Sequence, residues 1–389
     1  MKINLTLQAR WEGFDWDDTT REPSPGGDLS GFSLPRATLK FSGDATCNVH
    51  YYAELEFGHS GLWAQNDNGN GSLTSQFYEF NSLGALDGFF PVNNIPSASE
   101  VYGLLREGWI EYETSPYAIF RMGLVKTPTT RQLMTPPEMQ QFVDISLASA
   151  FIGQSMPGYS DRNRDYGFML HGAFGCDGEW QYMLAVTNGD GPVHRNVLDG
   201  RTDDNFAYSA RVNWDIKGHI GYEEGALRSN ECGWAASLGA WGHYFADAAR
   251  HNPFSKFADR LTYGVDGAFQ WGGLSVTAAY SMFTWSFPGS GSDFEGSSYL
   301  AQAGYLFPGT AWEIAARYSH YELKDSTTGA NEIGVAVTYY IDGHADKVTL
   351  DVAFITGDDF NGLGDTYAGY SPSFDSDATL VRLQWQLAL

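Results

Sequence analysis

From Lys2 to Glu12 the chain reads K-I-N-L-T-L-Q-A-R-W-E, so Ile3, Leu5, Leu7, Ala9 and Trp11 alternate with Lys2, Asn4, Thr6, Gln8, Arg10 and Glu12. Successive side chains of a strand point to opposite faces, so strict period-two alternation predicts a strand with one oily and one wet face. The last residues repeat the pattern: Val381, Leu383, Trp385, Leu387 and Leu389 alternate with Arg382, Gln384 and Gln386. Between these ends similar alternation occurs near 35–43, 47–57, 104–114, 117–126, 164–174, 180–188, 205–215, 233–245, 260–271, 274–285, 297–307, 311–322, 332–341 and 347–356. With 2–12 and 378–389 the pattern predicts sixteen strands. An even number returns both chain ends to the same side, as a closed antiparallel barrel of the outer-membrane type requires.

The connections alternate in length. Tight ones, such as Gly272-Gly273, Pro308-Gly309-Thr310 and Asp342 to Asp346, fall on one side. Long ones, at about 13–34, 58–103, 127–163, 189–204, 246–259, 286–296 and 357–377, fall on the other. Short periplasmic turns opposite long external loops are the outer-membrane signature, whereas a propeller would repeat every roughly 40–50 residues. The reading is therefore all-β: one transmembrane antiparallel β-barrel spanning residues 1–389, with no second domain.

Composition agrees with turns and aromatic strands: 45 Gly, 22 Tyr, 12 Trp and 25 Phe against 23 Lys plus Arg. A mean hydropathy of -0.31 and the lack of a long apolar run leave no candidate transmembrane helix. A barrel strand needs only roughly 9–11 residues and meets lipid at alternate positions, so the membrane stays open to this chain. The net charge of -24 excludes a phosphate-neutralising basic stripe, and hence nucleic acid as a partner. No basic and apolar leader opens the sequence, and Met1 runs directly into a strand, as expected of a mature or recombinant form. Cys47, Cys176 and Cys232 have no zinc-ligand spacing and fall at short-turn positions. Unpaired thiols are the simpler expectation; if a disulfide forms, Cys176 and Cys232 are the candidate pair, because their turns are neighbours.

Three stretches carry a family resemblance. Leu34 to Gly43 (L-P-R-A-T-L-K-F-S-G) with Ala53 to Phe57 (A-E-L-E-F) resembles the second and third strands of the phosphate-selective porin O and P family. Arg106 to Tyr112 (R-E-G-W-I-E-Y) and Phe120 to Pro128 (F-R-M-G-L-V-K-T-P) are similar to its fourth and fifth strands and the entry to its third loop. Trp312 to Ser319 and Leu380 to Trp385 look like its late and terminal strands. The resemblance implies a homotrimer of sixteen-stranded barrels in the bacterial outer membrane, each with its third loop folded inward as a constriction. The chain departs from the pattern at its end, Leu389, where the family usually has Phe.

A passive pore acts through its width and the charges on its wall. The candidate constriction is 127–163, which carries Arg131, Glu138, Asp144, Asp161 and Arg162, flanked by Lys126, Arg164 and Asp165. Its apolar run Phe142 to Ile152 suits anchoring to the wall. Arg36, Lys40, Arg121, Arg317 and Arg382 fall on the wet strand faces and are expected to line the lumen. Phosphate selectivity calls for a basic third loop, and this one is nearly charge-balanced, so the resemblance does not carry anion specificity. Acidic clusters at Asp15, Asp17, Asp18 and Glu22 and at Asp358, Asp359 and Asp365 offer sites for divalent cations bridging lipopolysaccharide, with solvated surface charge the plainer reading. No cofactor is expected. Asn66 to Gly71 has the look of a calcium loop but holds Phe77 where an acidic ligand is needed. No hydrolase or nucleotide-binding fingerprint occurs. The expected function is passive diffusion of small hydrophilic solutes or ions, not catalysis. The rivals are a structural or adhesive barrel with a plugged lumen, and an outer-membrane lipid hydrolase with a Ser/His pair at its lipid-facing rim.

Overall fold

The computed structural model describes residues 1–16, 29–57, 105–156, 164–189, 206–227, 233–248, 258–286, 293–324, 329–358 and 377–389. Sixteen strands form: β1 (Lys2–Trp16), β2 (Leu29–Thr46), β3 (Val49–Glu56), β4 (Leu105–Ser115), β5 (Ala118–Lys126), β6 (Arg164–Phe174), β7 (Trp180–Thr187) and β8 (Ala207–Lys217). Then follow β9 (Trp234–Ala248), β10 (Ala258–Trp271), β11 (Leu274–Ser286), β12 (Asp293–Leu306), β13 (Trp312–Leu323), β14 (Gly329–Asp342), β15 (Asp346–Asp358) and β16 (Ala378–Ala388). Each pairs antiparallel with its sequence neighbours, and β1 pairs with β16 to close the barrel.

Closure follows from the two alternating patterns meeting in register. Leu7 faces Leu387, Ala9 faces Trp385 and Trp11 faces Leu383 on the outside, while Arg10 opposes Gln384 on the inside. There the Arg10 guanidinium donates to Gln384 Oε1 at 3.0 Å, and Gln8 Nε2 donates to Gln386 Oε1 at 2.7 Å. A slip of one residue would turn every apolar side chain inward, so the pattern itself specifies the register. Around the barrel the outward positions are apolar and exposed, among them Ile110, Met122, Leu238, Val265, Ile333 and Trp385, whereas Gln8, Thr262, Glu332 and Arg382 on the inner face are completely buried. This inverts the distribution of a water-soluble protein.

The β10–β11 turn has φ of 54° at Gly272 and 94° at Gly273, the doubly positive conformation that glycine adopts without strain and that matches strand twist. Between Lys217 of β8 and Trp234 of β9, on the side of the short turns, lie residues 218–233, a length already implied by the predicted strands 205–215 and 233–245; 218–227 and 233 are described. Cys47 and Cys176 are exposed; Cys232, and with it the possible Cys176–Cys232 pair, lies outside the described residues. So do the calcium-like stretch 66–71 and Asp161 and Arg162, and nothing is described of the side chains in either acidic loop cluster.

Candidate functional site: the interior of the barrel

The segment following β5 turns into the barrel. It forms a single helical turn, α1 (Arg131–Met134), a 3-10 turn at Pro137–Met139, and a helix, α2 (Leu147–Ser155). Ser146 starts α2: its hydroxyl accepts the Ser149 amide at 3.2 Å, the usual service of a serine N-cap. Phe151 stacks on Tyr321 at 4.2 Å and meets Phe283 edge-on at 5.4 Å. Ile145, Leu147 and Ile152 join the same buried cluster with Trp241, Trp285, Ile355 and Leu380. Each such side chain contributes roughly 1.5–3 kcal/mol on burial, so the apolar run anchors the segment against the inner wall.

Polar anchors repeat one arrangement three times. The Arg131 amide donates to Asp266 at 2.9 Å, the Val143 amide to Asp351 at 3.0 Å, and the Leu147 amide to Glu332 at 2.8 Å. Each wall carboxylate is in turn held by a wall arginine: Asp266 by Arg211 at 2.7 Å, Asp351 by Arg382 at 2.7 Å, and Glu332 by Arg317. Two of those arginines also reach loop carbonyls, Arg211 donating to Thr129 O at 2.6 Å and Arg317 to Asp144 O at 2.9 Å. An irregular segment in the interior must satisfy its backbone groups, and these pairs serve that need. A Cβ at Gly304 on β12 would meet the ends of the Gln141 and Glu313 side chains.

The residues singled out by sequence therefore divide. Arg36, Arg317 and Arg382 lie on the inner face as expected, but their side chains are only 7, 0 and 0 % exposed and serve the loop rather than an open water path. Arg36 and Arg10 converge on Asp144, at 3.4 and 3.7 Å. Asp165 is buried and accepts the Gly189 amide at 2.5 Å, and Lys126 donates to Met134 O at 3.1 Å. Arg131 donates to Gly221 O of the β8–β9 connection, its guanidinium 5.7 Å from the Tyr222 ring. Lys40 pairs with Glu138, Arg121 with Glu111 at 2.7 Å, and Arg164 with Glu107 at 3.2 Å.

The interior is thus unequal around its circumference. Behind α2, the gap to β11 and β12 is about 10 Å³, room for a single water. On β3 and β4 some inner-face groups keep partial access to solvent, with side-chain exposures of 20 % for Glu56, 13 % for Glu107 and 12 % for Glu111, beside buried neighbours such as Arg36, Glu54, Arg106 and Arg164. Tyr52 and Trp109 stack there at 5.4 Å, and Arg121 covers Trp109 at 4.0 Å.

Burial raises the Asp144 carboxyl, but Arg36, Arg10 and Arg382 outweigh it and hold its pKa below the ordinary value. For Glu138 burial again acts upward, and Lys40, by charge and hydrogen bond, brings the net shift downward. Carboxylates with depressed folded pKa values lend stability above the unfolded value of about 4 and lose it as pH falls through the folded one. Resistance of Thr127 to Met156 to proteolysis is therefore expected to be constant from about pH 7 to 5 and to fall only below about pH 4. Release already at pH 6 would count against anchoring by these ion pairs.

Sequence reasoning gave no role to Arg211, Asp266, Asp351, Glu332 or Glu224. Glu332 carries a visible signal, a charge at the start of the β14 alternation; Glu224 lies between the predicted strands 205–215 and 233–245 and carries none.

No protein-family profile matches the chain, and no curated protein matches it in sequence. Solved structures do match in fold. An anion-selective porin from Comamonas acidovorans superimposes with a TM-score of 0.62 at 14% identity, covering 100% of this chain and 99% of that one. Pseudomonas putida OprB gives 0.59 at 10% identity, covering 100% and 94%. OmpT, an outer-membrane protein of Vibrio cholerae in its trimer form, gives 0.56 at 9% identity, covering 99% of each. The chain has the closed sixteen-stranded antiparallel barrel fold of these outer-membrane proteins.

Proposed function

We propose that the chain is an outer-membrane diffusion channel of the porin type, working as a homotrimer and passing small hydrophilic solutes down their own gradients with a preference for cations. The observation that carries this reading is how the interior charges are used. The arginines of the packed side are spent on the loop, and Arg106 and Arg164 are only 4 % exposed. The partly exposed charges along β2 to β6 include Glu56, Glu107, Glu111 and Glu113, with Glu138 of the inward loop, against Lys40, Lys126 and Arg121 and the imidazoles of His50 and His171. Such a wall attracts cations and repels anions. The exposed apolar outer face supplies the lipid contact, and the homotrimer is taken over from the trimer form of the Vibrio cholerae neighbour. Lipopolysaccharide bridged by divalent cations at the acidic external loops belongs to the same proposal. Membership of the phosphate-selective porin O and P family rests on the short sequence likenesses alone, and no solvent-facing basic ladder occurs among the described residues to support anion selection.

The plugged-barrel alternative draws on the solid packing behind α2. A lipid hydrolase finds less support. Ser209 and His243 do pair at 2.7 Å, but both are 4 % exposed and on the inner face, away from lipid. Planar-bilayer recording separates these readings. Ohmic steps closing in threes, with a reversal potential of cation-selective sign in a salt gradient, are expected. Electrical silence of a folded barrel overturns the channel, and an anion-selective sign overturns the charge argument.

A further inference from the structure

The β8–β9 connection is not a surface turn. Ile220, Glu224 and Ala226 are 2, 2 and 0 % exposed. Glu224 enters the barrel from the end opposite the inward loop and meets it: its amide donates to Met139 O at 2.9 Å, and its carboxylate accepts the Gln141 amide at 2.9 Å and the Gln132 side chain at 3.0 Å. The wall holds the connection as well. Gln302 donates to the same carboxylate at 3.0 Å, His344 Nε2 lies 3.0 Å from Glu224 O, and Gln270 donates to Gly225 O at 2.6 Å. A charged side chain is buried at such cost only where its oxygens are met by donors, and here the donors come from the inward loop and from β12.

We infer that residues 218–227 form a second constriction element, locked to the inward loop through Glu224, so that the two segments together close the β9–β16 side and confine solutes to the β2–β7 wall. The inference rests on the channel reading for its consequence but not for its geometry. The loop packs against β11 and β12, and the connection underpins the loop from the other end. The width of the path, and with it the size of solute admitted, is then set by contacts at Glu224 as much as by the loop.

Two measurements test this separately. In a chain with Cys47, Cys176 and Cys232 replaced by serine, Ala226→Cys reports burial to a charged thiol reagent added to the folded, reconstituted barrel. The thiol is expected to be protected, and to react at least about ten-fold faster when Glu224→Ala is added, a ratio equivalent to about 1.4 kcal/mol of opening. Free reaction without Glu224→Ala overturns the inward placement. In bilayers Glu224→Ala is expected to raise single-channel conductance, and Glu224→Gln, which keeps an acceptor, to raise it less. A protected thiol with unchanged conductance in Glu224→Ala overturns the confinement of the path. Silent channels in every variant overturn the channel reading, and the thiol rates still support or overturn the lock.

Discussion

Replacing Glu332 by alanine is expected to undock the inward loop and to cost about 3–5 kcal/mol, because breaking a buried ion pair leaves an uncompensated charge. The side chain is wholly buried. One oxygen meets Arg317, and the other accepts the Leu147 amide at 2.8 Å and the Ser319 hydroxyl at 2.6 Å. The Leu147 amide opens α2, so the carboxylate also faces the positive end of that helix and satisfies an amide with no partner inside it. Alanine removes all three roles and leaves the Arg317 guanidinium without its carboxylate, the Asp144 carbonyl at 2.9 Å and the Phe142 ring at 4.2 Å staying beside it. Glutamine keeps the shape and one acceptor, and its cost is expected to be about 1–3 kcal/mol. Urea titration of the reconstituted barrel measures the stability, and single-channel recording the loop: the alanine variant should unfold at lower urea and show larger, noisier steps. Unchanged stability and conductance would mean that the apolar anchors around Phe151 hold the loop unaided.

The second large effect concerns sign. Glu107→Gln, Glu111→Gln and Glu138→Gln together are expected to invert the ion preference, moving the permeability ratio by a factor on the order of ten. These carboxylates are partly exposed and neutralise Arg164, Arg121 and Lys40. Glutamine removes the negative charge and leaves the cation beside it, so each substitution moves the wall toward positive by one unit at nearly constant volume. The reversal potential in a salt gradient should therefore change sign. If it keeps the cation-selective sign, the path does not run along β2 to β7. High salt should shrink the effect, since the Debye length falls to about 3 Å at 1 M.

Much of this architecture is legible in the sequence. The alternations at 2–12 and 378–389 specify strand, face and register at once, because one face must meet apolar surroundings and the other polar ones. The long connection at 127–163 and its apolar run Phe142 to Ile152 mark a segment with its own packing surface. Arg36, Arg317 and Arg382 were equally visible, yet their use was not. An arginine on a wet face reads alike whether water or a loop covers it; the partners that decide the matter, such as Asp144 for Arg36 and Glu332 for Arg317, are 108 and 15 residues away in sequence.

The sequence by itself determined the number of strands, their faces and the polar character of the interior, because period-two alternation is a local property of each strand. Only the tertiary structure decided which interior charges remain available to a solute. Closing the sheet brings β1, β2, β13, β14 and β16 around one inward loop, and the unsatisfied amides and carbonyls of that loop draw in the nearest carboxylates and guanidiniums. The connection after β8 was decided in the same way: alternation is silent on residues 218–227, and the burial of Glu224 arises from its meeting donors of the inward loop and the facing wall.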